Sequence, residues 1–160
     1  GGYAVHNEYA FDHRRKKIYS QTNNSKESYR EDTLSFEKSP LDVLTAIYYA
    51  RNLDFSRYEI DQKIPLSLVI DNAIYDLYIR YQGVEEVKVP KDRNYECIKF
   101  SAMLKEGTIF SGGEHLTVWV TNDKNRIPVI VKAKILVGSV KAVIKSTQNL
   151  KYPSVLSDRY

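Results

Sequence analysis

Between Leu116 and Lys145 the chain reads LTVWVTNDKNRIPVIVKAKILVGSVKAVIK, and no other stretch limits the fold as strongly. β-Branched residues and a tryptophan dominate it, and two breaker pairs, Asn122-Asp123 and Gly138-Ser139, divide it into three consecutive strands. A two-residue turn at Gly138-Ser139 pairs Val137 with Val140, Ile135 with Ala142 and Ala133 with Ile144, so that all six apolar residues share a face. The opposite face carries Lys132, Lys134, Lys141 and Lys145, with Leu136 and Val143 among them. A single strand kinked at Gly138 is the competing reading.

The same logic extends upstream. Tyr3, Val5, Tyr9 and Phe11 alternate with polar or small residues, which predicts a strand with one buried face. Asp12 to Arg15 reads as a turn, Lys16 to Gln21 as the returning strand, and Thr22 to Glu31 as a polar loop. Ser39-Pro40-Leu41-Asp42 predicts a helix start, with Ser39 capping and Pro40 in the first turn. The helix runs over about residues 40–52 and is apolar nearly all round, which predicts burial. Strands follow at Ile64–Ile70, Tyr75–Tyr81, Val84–Val89 and Tyr95–Leu104, with a turn at Asp71-Asn72 and a bend at Gly83.

These elements predict a mainly β fold: an antiparallel curved sheet, or a partly open barrel, wrapped around one buried α-helix. A length of 160 residues predicts a single domain over residues 1–160. Lys and Arg total 24 against 20 Asp and Glu, a net charge of +4 without the dense basic stripe of a nucleic-acid binder, so no nucleic-acid partner is expected. The one cluster, His13-Arg14-Arg15-Lys16-Lys17, reads as a solvated turn, with anionic lipid or acidic polysaccharide as the sharper alternative. No apolar run approaches the roughly 20 residues of a membrane-spanning helix.

Candidate chemistry is sparse. His6, His13 and His115 belong to no metal-ligand motif, and no phosphate-binding glycine loop, dinucleotide fingerprint or serine nucleophile motif is present. Neither a metal nor a cofactor is expected. Cys97 reads as a small packed hydrophobe rather than a nucleophile. Asn122 and Asp123 read as turn formers. Glu85-Glu86 gives no ground for a glycosidase pair. The remaining candidates are aromatic. Thirteen Tyr, five Phe and one Trp suit half-buried strands. Among them Tyr48, Tyr75, Tyr78, Tyr81 and Trp119, with Tyr3, Tyr9 and Tyr95, could line a groove for a sugar, a lipid or a peptide.

The segment WVTNDKNRIPV, Trp119 to Val129, followed by Gly138-Ser139-Val140, resembles the DUF3108 family of bacterial proteins of unknown function. SPLDVLTAIYYARN, Ser39 to Asn52, resembles that family's helix, and Gly1-Gly2-Tyr3 with Tyr9-Ala10-Phe11-Asp12 resembles its central strands. The resemblance covers nearly the whole chain. It implies an exported protein of a Gram-negative bacterium, placed in the periplasm or outer cell envelope, with a fold like the curved β structures of capsule-associated lipoproteins and lipoprotein carriers. It also implies that this chain is the C-terminal portion of a longer exported protein. It supplies no catalytic residues. The expected function is therefore non-enzymatic binding of a lipid, an amphipathic small molecule or a polysaccharide on the aromatic face. The alternatives are assembly with another envelope protein through an exposed sheet edge, or an enzyme whose site the sequence hides.

Overall fold

The computed structural model describes residues 5–24, 29–89, 93–104, 113–135 and 138–156. The first residues of the strand opening at Tyr3, and all of Gly1-Gly2-Tyr3, lie outside them. Within them the chain is mainly antiparallel β, with one α-helix. β1 (Val5–Asp12), β2 (Lys17–Asn24) and β3 (Arg30–Ser35) form a three-stranded sheet in that order. α1 (Val43–Arg51) and a short 3-10 turn (Phe55–Arg57) follow. β4 (Lys63–Ile70), β5 (Ala73–Val89), β6 (Arg93–Leu104), β7 (Gly113–Thr121), β8 (Pro128–Lys134) and β9 (Ser139–Val143) form a six-stranded meander. The meander stays open, with β4 at one edge and β9 at the other, so the sheet is not a closed barrel.

The chain divides into two compact units. The first comprises residues 1–48 and 66–77, the second residues 49–65 and 78–160. In the first, Ile18, Phe36 and Val69 form the buried core, with Tyr9, Phe11, Leu34 and Ile74 against it. β3 supplies Leu34 to that core, so the loop expected over Thr22–Glu31 gives up both ends to strands. Asp71 and Asn72 both adopt positive φ, 46° and 59°, the backbone of a two-residue hairpin turn that Asn and Asp tolerate. Asn72 then uses its side chain to tie the unit together. Its amide donates to Thr22 Oγ1 (3.0 Å) and Asp32 Oδ2 (2.9 Å), and it accepts from Ser20 Oγ.

α1 corrects two expectations. Its cap is Asp42, which accepts from the Thr45 backbone N–H (2.9 Å) and the Thr45 hydroxyl (2.6 Å). Ser39 instead lies 3.3 Å from His13 Nδ1. Leu41 is held extended by a bridge to β4: its N–H donates to Ser67 O and its carbonyl accepts from Val69 N. That bridge delays the helix to Val43. The helix is also not buried. Ala50 is its only buried residue, whereas Leu44 is 70% and Tyr48 62% exposed, with Val43 and Ile47 about half exposed. Polar bonds at its flanks hold it in place of a buried face: the Leu41 bridge before it, and Arg51 at its end donating to the carbonyls of Asn125 (2.8 Å) and Arg126 (3.1 Å).

In the second unit β5 continues past Gly83, where a bend was expected. A bulge between Tyr81 and Val84 absorbs the extra residue, with Gly83 at φ 91°. The β8–β9 hairpin exists, but its register differs from the predicted one. Ala133 pairs with Val140 and Lys132 with Lys141, and the Ile135 N–H donates to the Gly138 carbonyl. Gly138, at φ 92°, thus closes the turn rather than opening it. The expected Val137 pairing lies outside the described residues.

Candidate functional site

The five aromatic candidates fall in different settings. Tyr48 and Tyr75 belong to the first unit, and Tyr78, Tyr81 and Trp119 to the second. Tyr48 is exposed on α1. Tyr75 is half-buried in β5. Tyr81 packs against Phe55, ring centroids 5.4 Å apart, and Phe55 stacks on Phe100 at 5.5 Å. Tyr78 is three residues away on the same strand and therefore on the other face of β5. Trp119 is 6% exposed, with its indole N–H donating to Glu85 (2.6 Å) and the Lys99 and Lys132 ammonium groups 5.4 and 5.1 Å from its ring. Within the second unit these rings serve packing and polar anchoring and do not share one open face.

Three carboxylates organise the second unit. Glu114 receives a two-pronged contact from Arg80, Nε to Oε2 at 2.8 Å and Nη2 to Oε1 at 2.7 Å, and accepts from Ser101 Oγ (3.1 Å) and the Tyr78 hydroxyl. These donors, Arg80 first, hold its pKa down at about 2, and the Glu114 carboxylate in turn raises that of the guanidinium. Glu85 is held below its ordinary range by the Trp119 N–H and, after that, by Lys99. At Asp123 burial works against the charge. Hydrogen bonds from Thr121, Ser154 and the backbone N–H groups of Asn125 and Arg126 outweigh it and lower the pKa. A carboxylate so saturated stays ionised and has no proton to give near neutrality. Cys97 is fully buried, and burial with nearby carboxylates pushes its thiol up to about 11, leaving it protonated. Among the described residues no three His, Cys, Asp or Glu side chains converge as metal ligands.

The Asn-Asp turn does more than turn. Asp123 Oδ2 accepts from Ser154 Oγ (2.8 Å) and Val155 N (3.4 Å). Asn125, almost fully buried, treats Tyr152 as a strand partner would: its amide donates to Tyr152 O (2.9 Å) and its Oδ1 accepts from Tyr152 N (3.1 Å). The C-terminal segment is thereby clamped, and Leu156 enters the core of Val87, Val89, Tyr95, Cys97, Trp119, Val129 and Ile130. Between that segment and the start of β6 lies a cavity of about 440 Å³. Arg93, Tyr95, Lys145, Gln148, Asn149 and Tyr152 are among the residues lining it. Of these only Tyr95 figures among the aromatic candidates. Arg93 opens β6, and the others come from irregular chain with no periodic pattern to mark it.

A family model for DUF3108, described as a protein of unknown function, matches residues 1–145. The chain belongs to the DUF3108 family. The match takes in both units but ends at Lys145, so the DUF3108 region supplies Arg93 and Tyr95 to the cavity, while Gln148, Asn149 and Tyr152 come from residues after it. No curated protein and no solved structure matches the chain. No helix among the described residues is long and apolar enough to cross a membrane.

Proposed function

We propose that this DUF3108 protein is a non-enzymatic, exported protein of the bacterial cell envelope that binds a hydroxylated, saccharide-type ligand in the cavity of its second unit. The cavity carries the reading. At about 440 Å³ it falls in the size range of small-molecule sites, roughly 300–1,000 Å³. Its walls combine two tyrosine rings, on which a sugar ring can stack, with serine, threonine, asparagine and glutamine groups that can both donate and accept hydrogen bonds. Ile144, Leu150, Pro153 and Leu156 add apolar wall, so it is the hydrogen-bonding groups that favour a sugar over a lipid tail. The lowered carboxylates and the protonated Cys97 thiol favour a binding role over catalysis. The test is native mass spectrometry of the protein purified from the envelope fraction of its own host. A co-purified glycan is expected; bare protein, or recovery from the cytosol, overturns the reading.

The exposed Val43, Leu44, Ile47 and Tyr48 on α1 favour a second reading, assembly with another envelope protein. Replacing Leu44 and Ile47 by Glu would abolish capture of such a partner and leave saccharide binding intact.

A further inference from the structure

We propose that residues 151–156 occupy a peptide-binding site of the second unit as its built-in ligand, and that an extended peptide of the pattern Pro-Ser-x-Leu from a partner protein displaces them. This site is separate from the saccharide reading of the cavity, although the segment is also one of the cavity's walls.

The receiving side is held in shape by its own bonds. Asp123 divides its two oxygens between separate duties. Oδ1 accepts from the Thr121 hydroxyl (2.7 Å) and from the Asn125 and Arg126 backbone N–H groups (2.9 and 3.2 Å), all inside the turn. Oδ2 is left for the segment and takes Ser154 Oγ and Val155 N. Arg51 fixes the same turn through the Asn125 and Arg126 carbonyls. The bonds to Oδ1 and from Arg51 do not involve the segment, so the turn keeps its shape when the segment leaves, and a preorganised site loses less on binding. The occupant is attached as a ligand is. Residues 145–156, all of them described, form neither helix nor strand, and only Leu156 among them is buried. Asn125 reads main chain alone: it donates to the Tyr152 and Pro153 carbonyls (2.9 and 3.3 Å) and accepts from the Tyr152 N–H (3.1 Å), while the Tyr152 residue is 37% exposed. In peptide sites main-chain bonds give affinity and side-chain pockets give specificity. Leu156 supplies the pocket residue, 7% exposed in the cluster that holds Val87, Cys97 and Trp119. The Ser154 hydroxyl on Asp123 sets the position two before it. Pro153 has its φ fixed in advance, which reduces the freedom lost on docking. The family match ends at Lys145, so Asp123, Asn125 and the Leu156 pocket lie within the matched residues and the occupant follows them.

The test is fluorescence anisotropy of a labelled peptide of residues 149–156, NLKYPSVL, titrated with the 160-residue chain. Leu156→Asp in the chain evicts its own segment, because a carboxylate is not accommodated in an apolar pocket. That variant should bind the peptide at least about tenfold more tightly than the unsubstituted chain, whose tethered segment competes at an effective concentration on the order of 1 mM. Ser154→Ala, which removes one anchor and leaves the pocket filled, should give a smaller rise and decides the question if Leu156→Asp does not fold. A peptide carrying Leu156→Asp, or one N-methylated at Tyr152 so that Asn125 loses its donor, should bind either variant at least about tenfold more weakly. Binding by the folded variants no tighter than by the unsubstituted chain overturns the proposal, and so does binding indifferent to both peptide changes. Dimers of the unsubstituted chain that Leu156→Asp abolishes, seen by sedimentation, make a second copy the occupant and overturn the separate partner.

Discussion

Glu114 shows what a single side chain does here. It gathers β5, β6 and β7 by accepting from Tyr78, Arg80 and Ser101, so its charge is part of the sheet's cross-linking. Its folded pKa, about 2, lies below the ordinary 4.5. Its stabilising effect is thus complete above pH 4.5 and is lost as pH falls from there toward 2, and Glu85, Asp123 and Asp42 act in the same direction. Chemical denaturation at a series of pH values should show stability flat near neutrality and declining below about pH 5. Glu114→Gln should flatten that decline, and an unchanged slope would remove Glu114 from the account. Asp123→Ala should cost about 3 kcal/mol and raise hydrogen exchange at Tyr152, Val155 and Leu156 before anywhere else, because it frees the segment those residues belong to. Turn chemistry at Asp123 was legible from its neighbours. Its hold on Ser154 was not, since nothing in local spacing joins residues 31 positions apart.

At the scale of elements, the alternation of apolar and polar residues revealed nearly every strand of the meander, because each must bury one face. It could not fix the β8–β9 register. Pairing Ala133 with Val140 or with Ile144 keeps the same residues on the same faces, so hydrophobic pattern is blind to the difference. Gly138 ends that turn at φ 92°. A Cβ there meets nothing within 4 Å, so Gly138→Ala should cost only the strain of positive φ, about 1 kcal/mol. A much larger loss of denaturation midpoint would mean the turn is built differently. α1 misled for a related reason: an apolar circumference signals a need for contact without naming the partner. Its N-terminus depends on one side chain, and Asp42→Ala should lower stability by about 1 kcal/mol, read as a shift in urea midpoint.

At the scale of the molecule, each unit has a buried cluster of its own among the described residues. Ile18 is fully buried in the first and Cys97 in the second, and the residues packed around each are distinct. Ile18→Ala should therefore cost about 2–5 kcal/mol and strip exchange protection from β1 and β2 while the amides of β6 and β7 keep theirs. Loss of protection across both sheets at once would show one cooperative block instead. The cavity could not be read at any smaller scale, since strand-start residues and an irregular terminal segment meet only in the folded chain. The path of the backbone through the two units has a consequence for genetics. The chain leaves the first unit after residue 48, returns to it at 66 and leaves again after 77. No uninterrupted run of codons encodes either unit alone, so an exchange of DNA that moves one unit whole also carries part of the other.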